Sequence, residues 1–597
     1  MLIFYQKGKS YVLSTRMCQP SLPLETSHTY LNQKLQAMPD QKTIVAKECR
    51  FAVYIPPPMH GEPDMHLVKE VIHYSDKTTS NNVLLVKDFK RDFYVTKKGQ
   101  RNHQEKKEFE ELDNLLLFKT RECDLADSIN KALGQGYMRG DLRKACSSPY
   151  VYGADILSTA IIKQRYTEKY NILPSLYSTA IADVETDVIE GHEKIIMASI
   201  TCKSVAFVAI VKSFMKGIAN VESKVHQAAE HYIGDIIKQR NINIEVVLVE
   251  DDIEAIRAVI NKAHKIMPDF LGFWNVDFDM TKIINACDRV GIDPKDIFSD
   301  PSVPREYRMF KYKRGPDKKV TASGLVTPIK PALRWHTVFT PASFYVIDAM
   351  CAYRHIRMGE QELQSYSLDF VLNHEGCRGK LKFDQCPYTG LMWHQEMQSK
   401  FKIEYVIYNL FDCISVELLE EKTKDLAISL PMFSGCSDFQ HFRSQPKRIV
   451  DDLHFVLLKK RRVIASTGDT MTTEHDTETL SLDGWIVTLP AHLICENGVN
   501  IVEENPSLIT NVRRDVGDLD VAGSYPNGQA VFNISKGTTR TELISIEGID
   551  EEVFRMHGMN LSGGSTNALA YCQAMFGFPT LTELDAIYDQ DEMIYSQ

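Results

Sequence analysis

Between about residues 175 and 425, strand-like segments alternate with helical ones. This alternation constrains the fold more than any other feature of the chain. Residues 177–188 are strand-like, and 195–211 are apolar and rich in β-branched residues. Residues 255–267 carry apolar side chains at helical spacing. A short apolar run at 270–274 precedes Ile283, Ile284, Cys287 and Val290, again at helical spacing, and Gly291 closes that helix. Strands alternating with helices pack as an α/β unit. Before this region the pattern is mixed: Val83-Leu84-Leu85-Val86 and Phe93-Tyr94-Val95-Thr96 read as strands. The polar stretch 97–114, dense in Lys and Glu, reads as a solvated helix. Residues 466–482 read as a surface loop, and 485–487 as the start of a further strand. The expectation is an α/β and α+β multidomain chain divided at 1–170, 171–425 and 426–597.

Composition narrows the function classes. The net charge is −10, from 69 Lys and Arg against 79 Asp and Glu. That excludes a small cationic DNA-coating protein. It does not exclude a nucleic-acid enzyme, because phosphate contacts depend on local basic grooves. The 13 cysteines are odd in number and form no Cys-x-x-Cys pair, so reduced thiols are expected rather than a zinc ribbon. No apolar run reaches the roughly 18 residues of a membrane helix. The apolar stretch Leu2-Ile3-Phe4-Tyr5 is too short for a signal peptide, so a cytoplasmic location is expected.

Three acidic pieces stand on this frame. Asp183-Val184-Glu185 lies in a strand, where residues two apart share a face. Both carboxylates therefore aim at one spot, and two hard oxygen anions there suit Mg²⁺ or Mn²⁺. Trp274-Asn275-Val276-Asp277-Phe278-Asp279 lies between an apolar strand and a helix, where helix capping would explain Asp279. In Tyr408-Asn409-Leu410-Phe411-Asp412, the apolar positions Ile407, Leu410, Ile414 and Leu418 mark a helix, so Tyr408 and Asp412 lie one turn apart. Each piece alone is ordinary surface chemistry. In this order they are specific: four carboxylates and a phenol fit a two-metal phosphodiesterase.

The set resembles the DEDDy 3′→5′ exonuclease carried by family B DNA polymerases, which has an RNase H-like fold. The resemblance implies that Asp183, Glu185 and Asp412 ligate two Mg²⁺ or Mn²⁺ ions. Asp279 would assist the second ion, and Tyr408 would position the attacking water. Asn275 and Phe278 match the family's Asn-x-x-Phe-Asp and would touch substrate. Asp187 and Asp277 are neighbouring acids explained by solvation.

A second motif follows. Asp518-Leu519-Asp520-Val521-Ala522-Gly523-Ser524-Tyr525-Pro526-Asn527 resembles motif A of the same polymerases. It implies a metal-binding Asp520 and a Tyr525 beneath the sugar of an incoming deoxynucleoside triphosphate. Gly523, Ser524 and Asn527 depart from the family pattern. No Lys-x-x-x-Asn-Ser-x-Tyr-Gly and no Asp-Thr-Asp follow, and Tyr588-Asp589-Gln590-Asp591 comes too soon after Asp520 to serve. The expectation is therefore the N-terminal part of a polymerase whose partial palm is completed by a second polypeptide with fingers and thumb.

Further segments are similar to the enzymes of large tailed bacteriophages, among them Tyr366-Ser367-Leu368-Asp369 before Gly379-Lys380. Residues 305–336 hold the densest basic and aromatic cluster, with Lys311, Lys313 and Arg314 beside Tyr307, Phe310, Tyr312 and Trp335. In phage relatives this interval carries a hairpin that parts primer from template. Such a composition suits backbone contact and base stacking. A second basic knot is Lys459-Lys460-Arg461-Arg462. Expected partners are primer–template and single-stranded DNA, the second chain and a sliding clamp, with no membrane. A stand-alone DEDDy nuclease and a non-catalytic replication scaffold are the alternatives.

Overall fold

The computed structural model describes residues 43–426, apart from 104–105, 135–140, 171–172, 174–176, 192, 321–325 and 360, together with 445–466 and a few isolated residues elsewhere. Asp520 and Tyr525 lie outside the described residues, as do 467–482 and 485–487. The described chain is mixed α/β.

Its centre is a six-stranded sheet. The strands are β1 (Thr179–Thr186), β2 (Ile195–Cys202), β3 (Val205–Val211), β4 (Asn243–Val249), β5 (Phe270–Phe273) and β6 (Tyr345–Asp348). Their spatial order is β4-β3-β2-β1-β5-β6. Only β2 runs against its neighbours; the other pairings are parallel. Parallel strands need helical crossovers that cover both faces, so their sequences read as nearly continuous apolar runs. Every residue of β2 is buried. Helices α1 (Val221–Arg240) and α4 (Lys402–Thr423) cover one face, with Val225, Ala229, Val406 and Leu410 packed on Met197 and Val208. Helices α2 (Asp252–Ile266) and α3 (Val276–Val290) cover the other, with Ile256, Met280 and Ile283 packed on Ala182 and Ala198. As predicted, α3 ends at Gly291, whose φ of 69° is the left-handed conformation a helix C-terminus favours.

The N-terminal unit holds an antiparallel meander of Ile44–Ile55, Met65–Tyr74 and Thr79–Lys87. A second sheet places Arg91–Thr96 between Leu115–Thr120 and Val151–Tyr152. Both strands read from the sequence here are present. The helix expected over 97–114 is not. Two 3₁₀ turns flank a strand, Phe109–Glu111, that pairs with Arg462–Ile464. Arg462 binds Glu111 at 2.8 Å and stacks on the Phe109 ring, and Arg461 binds Asp113 at 2.6 Å. The partner strand lies some 350 residues away, beyond the reach of local periodicity, and it accounts for two members of the basic knot.

The meander docks on the central sheet through Lys69. This fully buried ammonium donates to Asp269 Oδ1 at 2.6 Å, to Met267 O at 2.7 Å and to Pro268 O at 2.8 Å. Asp269 Oδ2 in turn accepts from the Ser178 N–H at 2.8 Å. The cluster thus ties the entries of β1 and β5 to the N-terminal unit. The nine described cysteines are all unbridged. Among the described residues, no helix is long and apolar enough to cross a membrane.

His66 carries a pH dependence. It is fully buried between Tyr54 and Phe89, with Nε2 2.8 Å from Ser158 Oγ. Burial pushes the imidazole down from 6.5 to about 4, and Arg91 adds to the effect. Below about pH 6.5 the unfolded chain therefore binds a proton that the folded chain refuses. Stability falls from there to about pH 4, by about 2 kcal/mol at pH 5. Urea unfolding at pH 7 and pH 5 should show a decline smaller by this amount in His66→Gln. Equal declines in variant and wild type would refute a buried neutral imidazole.

Candidate active site

The pleat of β1 sorts its side chains. Ala180, Ala182 and Val184 enter the core shared with α2 and α3, whereas Ile181 packs on Cys413 and Val416 of α4. Asp183 and Glu185 follow Ile181 at intervals of two and so face α4. That helix presents Tyr405, Tyr408, Asn409 and Asp412 as a polar stripe at i, i+3, i+4 and i+7. Asn409 Nδ2 donates to Asp183 Oδ2 at 2.6 Å, and the Tyr405 hydroxyl donates to Glu185 Oε2 at 2.5 Å.

Asp279 arrives differently. Strand β5 pairs with β1 only as far as Ile181, so the remainder of β1 leaves backbone groups open on that edge. The Val184 N–H uses one of them to donate to Asp279 Oδ1 at 3.2 Å. Asp279 is therefore not the helix cap that the sequence suggested. The cap position is Asn275, and Asp279 sits one turn inside α3, buried. The first helical N–H, that of Val276, donates instead to Asp348 Oδ2 at 3.1 Å. Asp348 comes from the end of β6, 72 residues away, which is why local spacing misplaced the cap.

Lys380 completes the cluster. Its ammonium donates to Asp412 Oδ2 at 2.6 Å and to the Tyr408 hydroxyl at 2.9 Å. Its backbone N–H donates to Asp369 Oδ1 at 2.8 Å. A Cβ on Gly379 would lie 2.9 Å from that same oxygen, so a larger residue there would push the Asp369 carboxylate aside. A cleft of about 950 Å³ is lined by Asp183, Asp279, Asp412, Lys380, Asn275 and Phe278, among others. Glu185 is bonded to Tyr405 and Tyr408 to Lys380, and both feel the charge of Asp412, but neither lines the cleft. Phe278 is 46% exposed at its edge.

The electrostatics follow from the crowding. Burial, then the charges of Asp279, Glu185 and Asp412, hold the Asp183 carboxyl well above the usual carboxylate range. Burial does the same to Asp279 and raises Asp412 despite the pull of Lys380. Glu185 is pushed up to about 7 by burial, against the Tyr405 hydrogen bond. Burial opposes the charge on Lys380, yet Asp412 and Tyr408 outweigh it and keep the ammonium above its ordinary range. Burial and then Asp412 raise the Tyr408 phenol, so it stays protonated. Because Lys380 donates to the phenolic oxygen, the phenolic proton is left to point elsewhere.

The donor set fits a hard divalent cation: carboxylate oxygens that repel one another in an enclosed space. Asp412 Oδ1 is buried without a hydrogen-bond partner and has a lone pair to give. Among the described residues, no three His, Cys, Asp or Glu side chains form a ready cation cage. Each carboxylate holds a protein donor instead, and a cation must compete with Lys380 for Asp412.

Lys380, Tyr405 and Asn409 were not among the residues singled out from the sequence. The stripe on α4 was a usable signal for two of them, because three further polar side chains accompany Asp412 at helical spacing. Lys380 had none beyond the Gly379-Lys380 resemblance. The neighbouring acids are engaged rather than simply solvated. Asp187 Oδ1 accepts from the Ile189 N–H at 2.8 Å within a turn. Asp277 Oδ1 accepts from the Tyr312 hydroxyl at 2.7 Å and forms an ion pair with Arg314 Nε at 3.0 Å.

That contact clasps the basic segment to α3. Lys311–Lys313 pairs with Thr337–Phe339, and Lys318–Val320 pairs with Val326–Pro328. Lys311 and Lys313 are exposed, while Arg314 is tied to Asp277 and Thr281. The aromatics expected to meet bases are occupied: Tyr307 and Trp335 are buried, and Phe310 packs on Phe298. Tyr307 joins the core of the meander with Ile55, Met65 and Leu67, Trp335 packs with Phe51 and Phe270, and Phe310 and Tyr312 pack against the central core beside Val338. No protein-family model matches the chain, and no curated protein matches it.

Proposed function

We propose that this chain is a metal-dependent 3′→5′ exonuclease of the DEDDy type, with an RNase H-like catalytic layer, within a family B DNA polymerase. One observation carries the reading. Asp183 and Glu185 on one strand meet the helix of Tyr408 and Asp412 on one side and Asp279 on the other, and Asp183, Asp279 and Asp412 line a cleft wide enough for a nucleotide. The strand order β3-β2-β1-β5-β6, with β2 alone reversed, supports the fold.

Asp183, Glu185 and Asp412 would hold Mg²⁺ or Mn²⁺, with Asp279 assisting. When bound, such ions lower the pKa of water and stabilise the departing oxygen. The chain's own groups do the rest. Tyr408, kept protonated, orients a water towards the terminal phosphodiester. Water oxygen bonds to phosphorus and gives up its proton to solvent, the bond to the O3′ of the penultimate nucleotide breaks, that oxygen takes up a proton to become a hydroxyl, and a nucleoside 5′-monophosphate leaves. Asn275 and Phe278 contact the terminal nucleotide, and the exposed Lys311 and Lys313 draw in the phosphate backbone. Asp520 and Tyr525 would serve nucleotide incorporation as metal ligand and sugar contact.

The test is polarity. With Mg²⁺, the purified chain should shorten a 5′-labelled single strand into a ladder of intermediates. A 3′-labelled strand should release mononucleotide at once, and chelator should stop both. A ladder from the 5′ end would overturn the reading.

A further inference from the structure

The end of β1 beyond Asp183 is irregular: its register against β2 shifts between Glu185 and Thr186. A carboxylate next to a bulge is not oriented by the ladder alone. Glu185 is oriented by a chain of side chains from outside the acidic set. The Tyr405 hydroxyl donates to Glu185 Oε2 at 2.5 Å. The Tyr405 hydroxyl oxygen lies 2.9 Å from His394 Nδ1 and accepts from Gln398 Nε2 at 3.3 Å. A phenol has one proton, and it goes to Glu185. His394 must then donate from Nδ1, which defines its tautomer.

Gln398 is buried and does a second job. Its Nε2 also donates to Thr186 O at 2.8 Å, and its Oε1 accepts from the Val188 N–H at 3.1 Å. It therefore grips both the irregular backbone and the phenol. Tyr405 is fully buried, and its ring lies parallel to Tyr408 at 5.9 Å and against Trp393. The hydroxyl has no freedom to follow Glu185; Glu185 must follow it.

We infer that Tyr405, held by His394 and Gln398, is a positioning residue that sets Glu185 for cation binding. This rests on the exonuclease reading and adds to it a division of labour between the two stacked phenols. Tyr408 acts on the water, and Tyr405 acts on the ligand. Hydrogen bonds to metal-binding carboxylates commonly change affinity by roughly 10- to 100-fold.

The test is Mg²⁺ titration of the full chain by calorimetry, with Tb³⁺ luminescence, sensitised by Trp393 and the tyrosines, as a second readout. Tyr405→Phe keeps the ring and should weaken Mg²⁺ binding roughly tenfold or more. Its nuclease rate should return towards wild type at saturating Mg²⁺. His394→Leu should weaken binding in the same direction. His394→Asn, whose amide can donate from the Nδ1 position, should restore it. This pair carries the test should Tyr405→Phe fold poorly. Wild-type Mg²⁺ affinity in folded Tyr405→Phe or His394→Leu would overturn the inference. A wild-type chain that binds Mg²⁺ but releases no nucleotide would sink the exonuclease reading and leave the tether standing.

Discussion

Asp183→Ala and Asp412→Ala should each cut Mg²⁺-dependent release of 3′ nucleotides by roughly a thousandfold or more, since each removes charge where ions stabilise the transition state, an effect of about 4 kcal/mol. The folded state should survive both changes. Asp183 stands among carboxylates that repel it, so its removal relieves that repulsion. Removing Asp412 leaves Lys380 with the Tyr408 hydroxyl as its remaining partner and about a quarter of its side chain open to solvent. Tyr408→Phe should be milder, about a hundredfold, because it removes orientation rather than charge. The measurement is single-turnover release of a labelled 3′ nucleotide, with circular dichroism to confirm folding. A wild-type rate in Asp183→Ala would mean that the carboxylate cluster is not the catalytic centre. A loss in Tyr408→Phe equal to that in Asp412→Ala would mean that the phenol does more than orient.

The largest effect on stability should come from Asp269→Ala. It strips the buried Lys69 ammonium of its counter-charge and leaves it with two carbonyls. Burial already lowers the Lys69 pKa, a sign that the site tolerates the charge only because Asp269 is there. Breaking a buried pair by removing one partner costs about 3–5 kcal/mol. The change also frees the Ser178 N–H at the entry of β1. Urea unfolding should show the loss, and the double variant Lys69→Met with Asp269→Leu should recover much of it, because the buried ammonium goes with its carboxylate and Arg50, which also faces Asp269 at 3.7 Å, keeps Glu48 at 2.8 Å. A loss below about 1 kcal/mol would show that the cluster does not clamp the two units together.

Much of the candidate site was legible in the sequence because it obeys local periods. Asp183 and Glu185 share a face by the two-residue pleat, and Tyr408 and Asp412 by the helical turn, so their residue types and spacing sufficed. The strands at 83–86 and 93–96, and the helix ending at Gly291, were legible for the same reason. Asp279 was legible as a site residue, although its local geometry was not. Whether it capped α3 depended on Asp348, delivered from β6 by a separate crossover.

Tertiary structure decided what lies between elements. The 97–114 stretch has a helix-like composition, but Phe109–Glu111 found a strand partner at Arg462–Ile464 and gained a ladder that no local helix could match. The aromatics of 305–336 look like base-stacking rings in one dimension, but Tyr307 and Trp335 are taken up by cores built from distant strands, and Phe310 and Tyr312 by the central core. Lys380 lies 32 residues before Asp412 and reaches it from a loop whose backbone N–H is held by Asp369. Sequence spacing repeats with the backbone's own geometry, so it reports which face a side chain takes. Which side chain waits on the opposite face depends on how distant segments return, and no local period carries that information.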